Sequence, residues 1–262
     1  MKGLKAALWT EFIKVRKSKT LPATIIIFTF TATMIGFLML VAKDPEFAAT
    51  SAIVKTKASF IAKADWPSFF NLLIQIVLTM GPIGFGIVTI WMFGREYSDR
   101  VIKDLLALPI SRAKIVTAKF ILILAWCLLL GIILLSIGIL IVLVIGLDGL
   151  SMGTMIQGIK VYFGSTLLSI FLVTPVALVT SIGRGYLLPI GIVIIVLIIT
   201  QILFVGAPNL TYYFPWAVPA LFSRIGGNSF PPPGIISYFL FSIVCIVGLF
   251  ATISWWKNSD QK

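Results

Sequence analysis

The side chains with which this chain could do chemistry are gathered in one place. In the stretch REYSDRVIKDLLALPISRAK, residues 95–114, eight side chains are charged, although charged residues make up only 11% of the 262 residues. Carboxylates and cations at this density can pair, move protons or grip a partner, but they do not by themselves form a catalytic centre. The sequence contains no histidine. That excludes a His-based metal site, a Ser–His triad and a His proton relay. Cys127 and Cys245 both lie inside apolar runs and read as small buried hydrophobes, not as a disulfide or a metal pair. No nucleophile stands beside an activating partner, as an intramembrane hydrolase requires. No GxxxxGKS or GxxxxGKT phosphate loop is present. The chain is therefore expected not to be an enzyme, and any ATP hydrolysis that drives it belongs to another polypeptide.

The elements that must position these charges are strongly apolar. Hydrophobic residues make up 59% of the chain and mean hydropathy is +1.09, against 45–50% apolar in a typical soluble domain. The excess is grouped into six runs, at 21–42, 71–94, 117–146, 160–181, 186–205 and 234–256. Each is long enough to cross a ~30 Å hydrocarbon core as a helix. The expected fold is an all-α integral membrane protein: one transmembrane domain over 21–256, preceded by an amphipathic cytoplasmic helix at 1–20 and followed by a cytoplasmic tail at 257–262. The basic stretch at the start, with no small-residue cleavage site after the first apolar run, does not read as a cleavable signal peptide. No run carries an ionisable group near its centre, where secondary transporters and proton pumps place them. Asn71, Gln75 and Gln201 are the strongest polar groups inside the runs.

The net charge of +12 could suggest nucleic acid, but positive-inside bias explains it without that partner. The N-terminal segment, 95–119, 182–185 and the tail together hold 15 Lys and Arg residues, and the opposite loops hold 6. Both termini are thus expected in the cytoplasm of a bacterial cell, with the chain in its plasma membrane. In the N-terminal segment Leu4, Ala7, Leu8, Phe12 and Val15 follow helical spacing, with Lys2, Lys5, Lys14 and Lys17 around the rest. That pattern suits a helix lying in the inner interface, yet it leaves Glu11, the one acid of the segment, unexplained beside the apolar face. In the outer loop 43–70, Ile53, Val54, Phe60 and Ile61 fit either an interfacial helix or an ordinary amphipathic loop. The Pro- and aromatic-rich segment 206–233 reads as a short re-entrant or interfacial hairpin, with a wet external loop as the alternative.

Within the charged stretch, Ser98 or Asp99 can cap a short helix that runs to Leu108. Val101, Leu105 and Leu108 fall on one side of it, while Arg100, Lys103 and Asp104 lie elsewhere. Pro109 ends it. Such a helix can rest on the membrane or dock into a partner's groove. From Glu96 to Lys119 the pattern resembles the cytoplasmic signature of type-2 ABC transporter permeases: an acid at the end of the second span, a short helix, Pro109-Ile110-Ser111-Arg112, and Lys119 at the opening of the third span. The stretch from Glu11 to Ser18 is similar to that family's amphipathic connecting helix. Residues 64–75 and 213–219 look like its bacitracin- and lantibiotic-resistance branch. One departure is the turn after the acid, Ser98-Asp99-Arg100-Val101, where many members have Gly-Thr.

The resemblance implies a membrane subunit that pairs with a second permease copy or homologue and with two cytoplasmic ATPase subunits. ATP and magnesium would be held by those partners, and no cofactor by this chain. The 98–108 helix would be the coupling helix, with Glu96, Arg100, Lys103, Asp104, Leu105, Leu108 and Pro109 as its ATPase-coupling residues, and Glu11 and Lys14 as contacts of the connecting helix. The exported substrate would be an amphipathic or antimicrobial peptide, or a similar hydrophobic molecule. A non-transporting membrane scaffold or sensor that recruits a cytoplasmic partner would also explain the charged helix. A stand-alone channel or carrier fits less well, because the spans lack polar residues.

Overall fold

The computed structural model describes residues 2–44, 63–99, 110–224 and 232–258. Among these the chain is helical. Its elements are α1 (Lys2–Arg16), α2 (Thr20–Lys43), α3 (Trp66–Ser98), α4 (Arg112–Ile145), α5 (Met152–Phe171), α6 (Val173–Gly183), α7 (Leu187–Gly206), two 3₁₀ turns (Pro208–Tyr213 and Pro215–Ala217), α8 (Val218–Ser223) and α9 (Ile235–Asn258). Six helical stretches are long and apolar enough to cross a membrane, with α5 and α6 together forming one of them. The chain is an all-α, multi-pass membrane protein.

Two uninterrupted helices are much longer than a bilayer requires. At 33 and 34 residues, α3 and α4 are about 50 Å long at 1.5 Å per residue. They overrun a ~30 Å core and carry their terminal turns out to the interface. Local chemistry sets these ends. Asp65 caps α3 by accepting the Ser68 N–H at 2.9 Å, with Pro67 in the first turn, where its missing N–H costs nothing. At the far end of α4, Gly146 takes a left-handed φ of 68°. There Lys43 donates to the carbonyls of Ile145 and Gly146 at 2.6 and 2.9 Å, tying α2 to the end of α4. Ser151 caps α5 through the Thr154 N–H at 3.1 Å, so this helix begins at Met152, ahead of the apolar run at 160–181.

Proline punctuates the fourth span. Pro175 cannot donate to the carbonyl of Phe171, four residues earlier, and the helix breaks at Leu172 between α5 and α6. The Thr174 hydroxyl lies 3.0 Å from that freed carbonyl and 2.9 Å from the Cys245 carbonyl of α9. The break therefore serves a close crossing. A Cβ at Gly248 of α9 would sit 2.6 Å from the Pro175 nitrogen, so only glycine lets the two backbones approach this far.

The segment after α7 folds back onto the bundle. Thr211, Ala217, Val218 and Leu221 are buried there, and α8 packs on α5 and α3. The outer-loop pattern at Ile53, Val54, Phe60 and Ile61 lies outside the described residues. So does the greater part of the short helix expected at 98–108; Ser98 itself is the last residue of α3 and Asp99 its C-cap.

Candidate functional site

A buried ion cluster joins three helices at the end of the bundle where α2 begins and α3 ends. On α1, Glu11 and Lys14 are one turn apart, and Lys14 donates to Glu11 Oε1 at 2.6 Å. Three residues from the end of α3 stands Glu96. Two turns into α4 stands Lys119. The Lys119 ammonium donates to Glu11 Oε2 at 3.0 Å, to Glu96 Oε1 at 2.8 Å and to the Met92 carbonyl at 3.0 Å. That uses all three of its protons. Lys14 completes the ring with a 3.0 Å bond to Glu96 Oε1. Glu11, Glu96 and Lys119 are at most 2% exposed, and Lys14, at 22%, closes the cluster on its solvent side, so two carboxylates and two ammonium groups balance. The ring faces of Phe93 and Trp256 stand 5.8 and 5.9 Å from the Lys119 nitrogen and wall it off. Burial pushes the Glu11 carboxyl up, but the charges and hydrogen bonds of Lys119 and Lys14 outweigh it and hold the group below its ordinary value of 4.5.

A second clamp lies beside the first. Arg112, the first residue of α4, donates to the Trp256 and Lys257 carbonyls at 3.2 Å each. Those carbonyls end α9 and have no partner of their own within the helix. The Trp256 indole N–H in turn reaches the Ser181 hydroxyl on α6 at 2.9 Å. The ends of α1, α3, α4, α6 and α9 are thereby held together around Lys119 and Trp256.

The site residues expected from the sequence divide accordingly. Glu11 and Lys14 meet Glu96 within the cluster. Glu96 turns inward, and its side chain is 1% exposed. Arg100, Lys103, Asp104, Leu105, Leu108 and Pro109 lie outside the described residues. Sequence reasoning left out Lys119 and Arg112 as site residues, reading them only as part of a pattern and of a charge bias. The unexplained Glu11 was the available signal, because an acid on an apolar helix face needs a buried cation, and Lys119 stands within an apolar run. The buried stripe of α1 is Ala7, Glu11 and Val15. Phe12, expected on one apolar face with Ala7 and Val15, is 44% exposed and stacks with Trp9 at 6.1 Å. Pairing Glu11 with Lys119 fixes the rotation of α1 and leaves these two aromatics outside.

A family model for ABC-2 family transporter proteins matches residues 7–200, which include every member of the cluster. The chain belongs to this family. It is an ABC transporter permease, a membrane subunit. It is 30% identical to the bacitracin transport permease protein BCRB of Bacillus licheniformis over 194 residues, which cover 74% of this chain and 91% of the relative. In this permease Glu96, Arg112 and Lys119 of the signature stretch hold helices together, and residues 100–109 between them in sequence lie outside the described residues.

Proposed function

We propose that this permease exports an amphipathic peptide antibiotic, bacitracin-like in character, driven by a separate cytoplasmic ATPase that grips residues 98–108. The observation that carries this reading is the buried Glu11–Lys14–Glu96–Lys119 cluster. It ties α1 to the end of α3 and the start of α4, so a push on the segment between α3 and α4 reaches α1 as well. Burying the charges of Glu11, Glu96 and Lys119 costs desolvation that a purely structural helix contact would avoid with apolar residues. A fixed register between moving helices is the benefit such a cluster offers. The relative's printed name supports the substrate class. Two ATPase copies, each with its own ATP and magnesium, and a second permease copy or homologue complete the assembly. The positive-inside bias supports both termini lying on the ATPase side of a bacterial plasma membrane, and exposed Trp9 and Phe12 suit α1 to that interface.

In this reading Leu105 and Leu108 fill a groove on the ATPase, Arg100, Lys103 and Asp104 contact its rim, and Pro109 ends the docking helix. Glu96 acts from inside by positioning the helix end, as do Glu11 and Lys14. The test is the Leu105→Asp/Leu108→Asp double variant, reconstituted with the ATPase found beside it in the same cell. ATPase stimulation by peptide and peptide resistance should both be lost, while helix content and membrane insertion stay unchanged. Export at the wild-type rate by this variant would overturn the coupling assignment. A membrane scaffold would show a stoichiometric partner without any stimulated hydrolysis.

A further inference from the structure

A groove between α2 and α3 opens toward the lipid and has a cavity of about 250 Å³. Its walls are Ala23, Ile27 and Thr31 on α2 and Met80, Ile83 and Ile87 on α3. Depth comes from glycine: a Cβ at Gly84 would lie 2.6 Å from the Phe28 ring, so Phe28 settles against bare backbone and leaves the space above it open. The lining is almost wholly apolar, as an acyl chain requires.

One end of this groove is not apolar. Each wall continues by helical steps of four. On α2 the residue one turn before Ala23 is Lys19, whose backbone is already helical at φ −75° and ψ −16°. On α3 the residues one and two turns after Ile87 are Trp91 and Arg95. The two helices run in opposite directions, so both extensions reach the same membrane face. There the Arg95 guanidinium lies 4.9 Å over the Trp91 ring. Its ion-pair partner among the described residues, Asp99, is 3.7 Å away and 56% exposed, a screened pair that leaves most of the positive field in place. Lys19 is exposed and has no carboxylate partner among the described residues. Arg16 and Lys17, both exposed, add to the same basic edge.

We propose that this groove binds one anionic phospholipid, with an acyl chain between α2 and α3, the phosphate and anionic headgroup at Lys19 and Arg95, and the ester region beside Trp91. The charge at one end and the apolar slot above it match the two halves of such a lipid and match no zwitterionic lipid as well. Trp91 has the amphipathic ring that settles at headgroup depth. The assignment is independent of what the transporter exports.

Native mass spectrometry of the full chain, titrated with phosphatidylglycerol or phosphatidylcholine, tests it. The wild type should retain one phosphatidylglycerol, with a preference over phosphatidylcholine of roughly tenfold or more for two interfacial cations. Lys19→Gln/Arg95→Gln should reduce that preference to about twofold, and Ala23→Trp should expel both lipids by filling the slot. Lys5→Gln/Lys257→Gln removes the same net charge away from the groove and should leave the preference intact. Equal retention of the two lipids by the wild type would overturn the site, as would an equal loss in the distant-charge variant. Were the double variant to misfold by circular dichroism, Lys19→Gln alone should still lower the preference severalfold. Ready disulfide cross-linking between two copies carrying Ile83→Cys would make the groove a subunit interface and refute the lipid assignment.

Discussion

At the scale of single residues, Lys119 decides the most. It places one cation between two buried carboxylates, and Lys14 supplies the second cation that brings the group to neutrality. Removing Lys119 as Lys119→Met leaves a net negative charge where water cannot reach it. Breaking a buried pair from one side costs about 3–5 kcal/mol. The permease should lose that much stability, read as a fall in the midpoint of thermal unfolding in detergent. Adding Glu96→Gln restores neutrality, so the double variant should be more stable than Lys119→Met alone. If the two losses simply add, the four groups do not act as one unit. The pH response follows from Glu11, whose carboxyl in the folded protein lies below its ordinary value of 4.5. A depressed carboxylate contributes stability that is complete above its unfolded value and disappears as pH falls through the folded one. Docking of α1, followed by hydrogen exchange of its amides, should be flat from neutral pH down to about 5 and weaken only in stronger acid. Glu11→Gln should remove that acid step. An α1 that loosens as pH rises from 7 would contradict the sign.

At the scale of elements, the crossing of α6 and α9 brings backbone against backbone, where no side chain can give way. It depends on a break that Pro175 imposes and on a missing side chain at Gly248. Gly248→Ala puts a methyl group 2.6 Å from a backbone nitrogen and 2.8 Å from the Thr174 carbonyl carbon, and neither can swing aside. Overpacking of this kind costs typically about 1–3 kcal/mol. Gly191→Ala is the matched control: nothing lies within 4 Å of the added carbon, and alanine favours the helix. The first variant should lower the unfolding midpoint and the second should not. The two helices of the charged stretch are joined by the same kind of local logic. Arg112 opens α4 and at once closes α9, so the hairpin from α3 to α4 is anchored on both of its flanks.

At the scale of the molecule, coupling and stability separate. The cluster sits at one end of a bundle whose other end is fastened by Lys43 on the α4 terminus and by Asp65 at the head of α3. In the proposed coupling, a load on residues 98–108 would reach the end of α3 and the start of α4, where five helices meet. On the proposed coupling, the Leu105→Asp/Leu108→Asp variant should lose stimulated hydrolysis, while the cluster residues Glu11, Lys14, Glu96 and Lys119 stay as they are and the unfolding midpoint is unchanged. On the same proposal, Lys119→Met/Glu96→Gln should keep the ATPase bound, because it leaves the proposed docking residues 98–108 unchanged.

The sequence by itself determined that this chain spans a membrane six times, because a bilayer reads hydropathy and length directly and needs no tertiary detail. It also determined the family, because Glu96, Pro109, Ser111, Arg112 and Lys119 keep their spacing along one short stretch. Roles within that stretch were not legible. Arg112 and Lys119 counted equally with Lys103 toward positive-inside bias, since a one-dimensional reading has no way to show which cation points inward. Glu11 was an acid without a reason. Only the tertiary structure brought Glu11 and Lys119, 108 positions apart, to hydrogen-bonding distance. Only there did the buried stripe of α1 shift to Ala7, Glu11 and Val15. The physical cause is that a buried charge must find its counter-charge wherever the fold supplies one, and sequence distance does not enter that requirement.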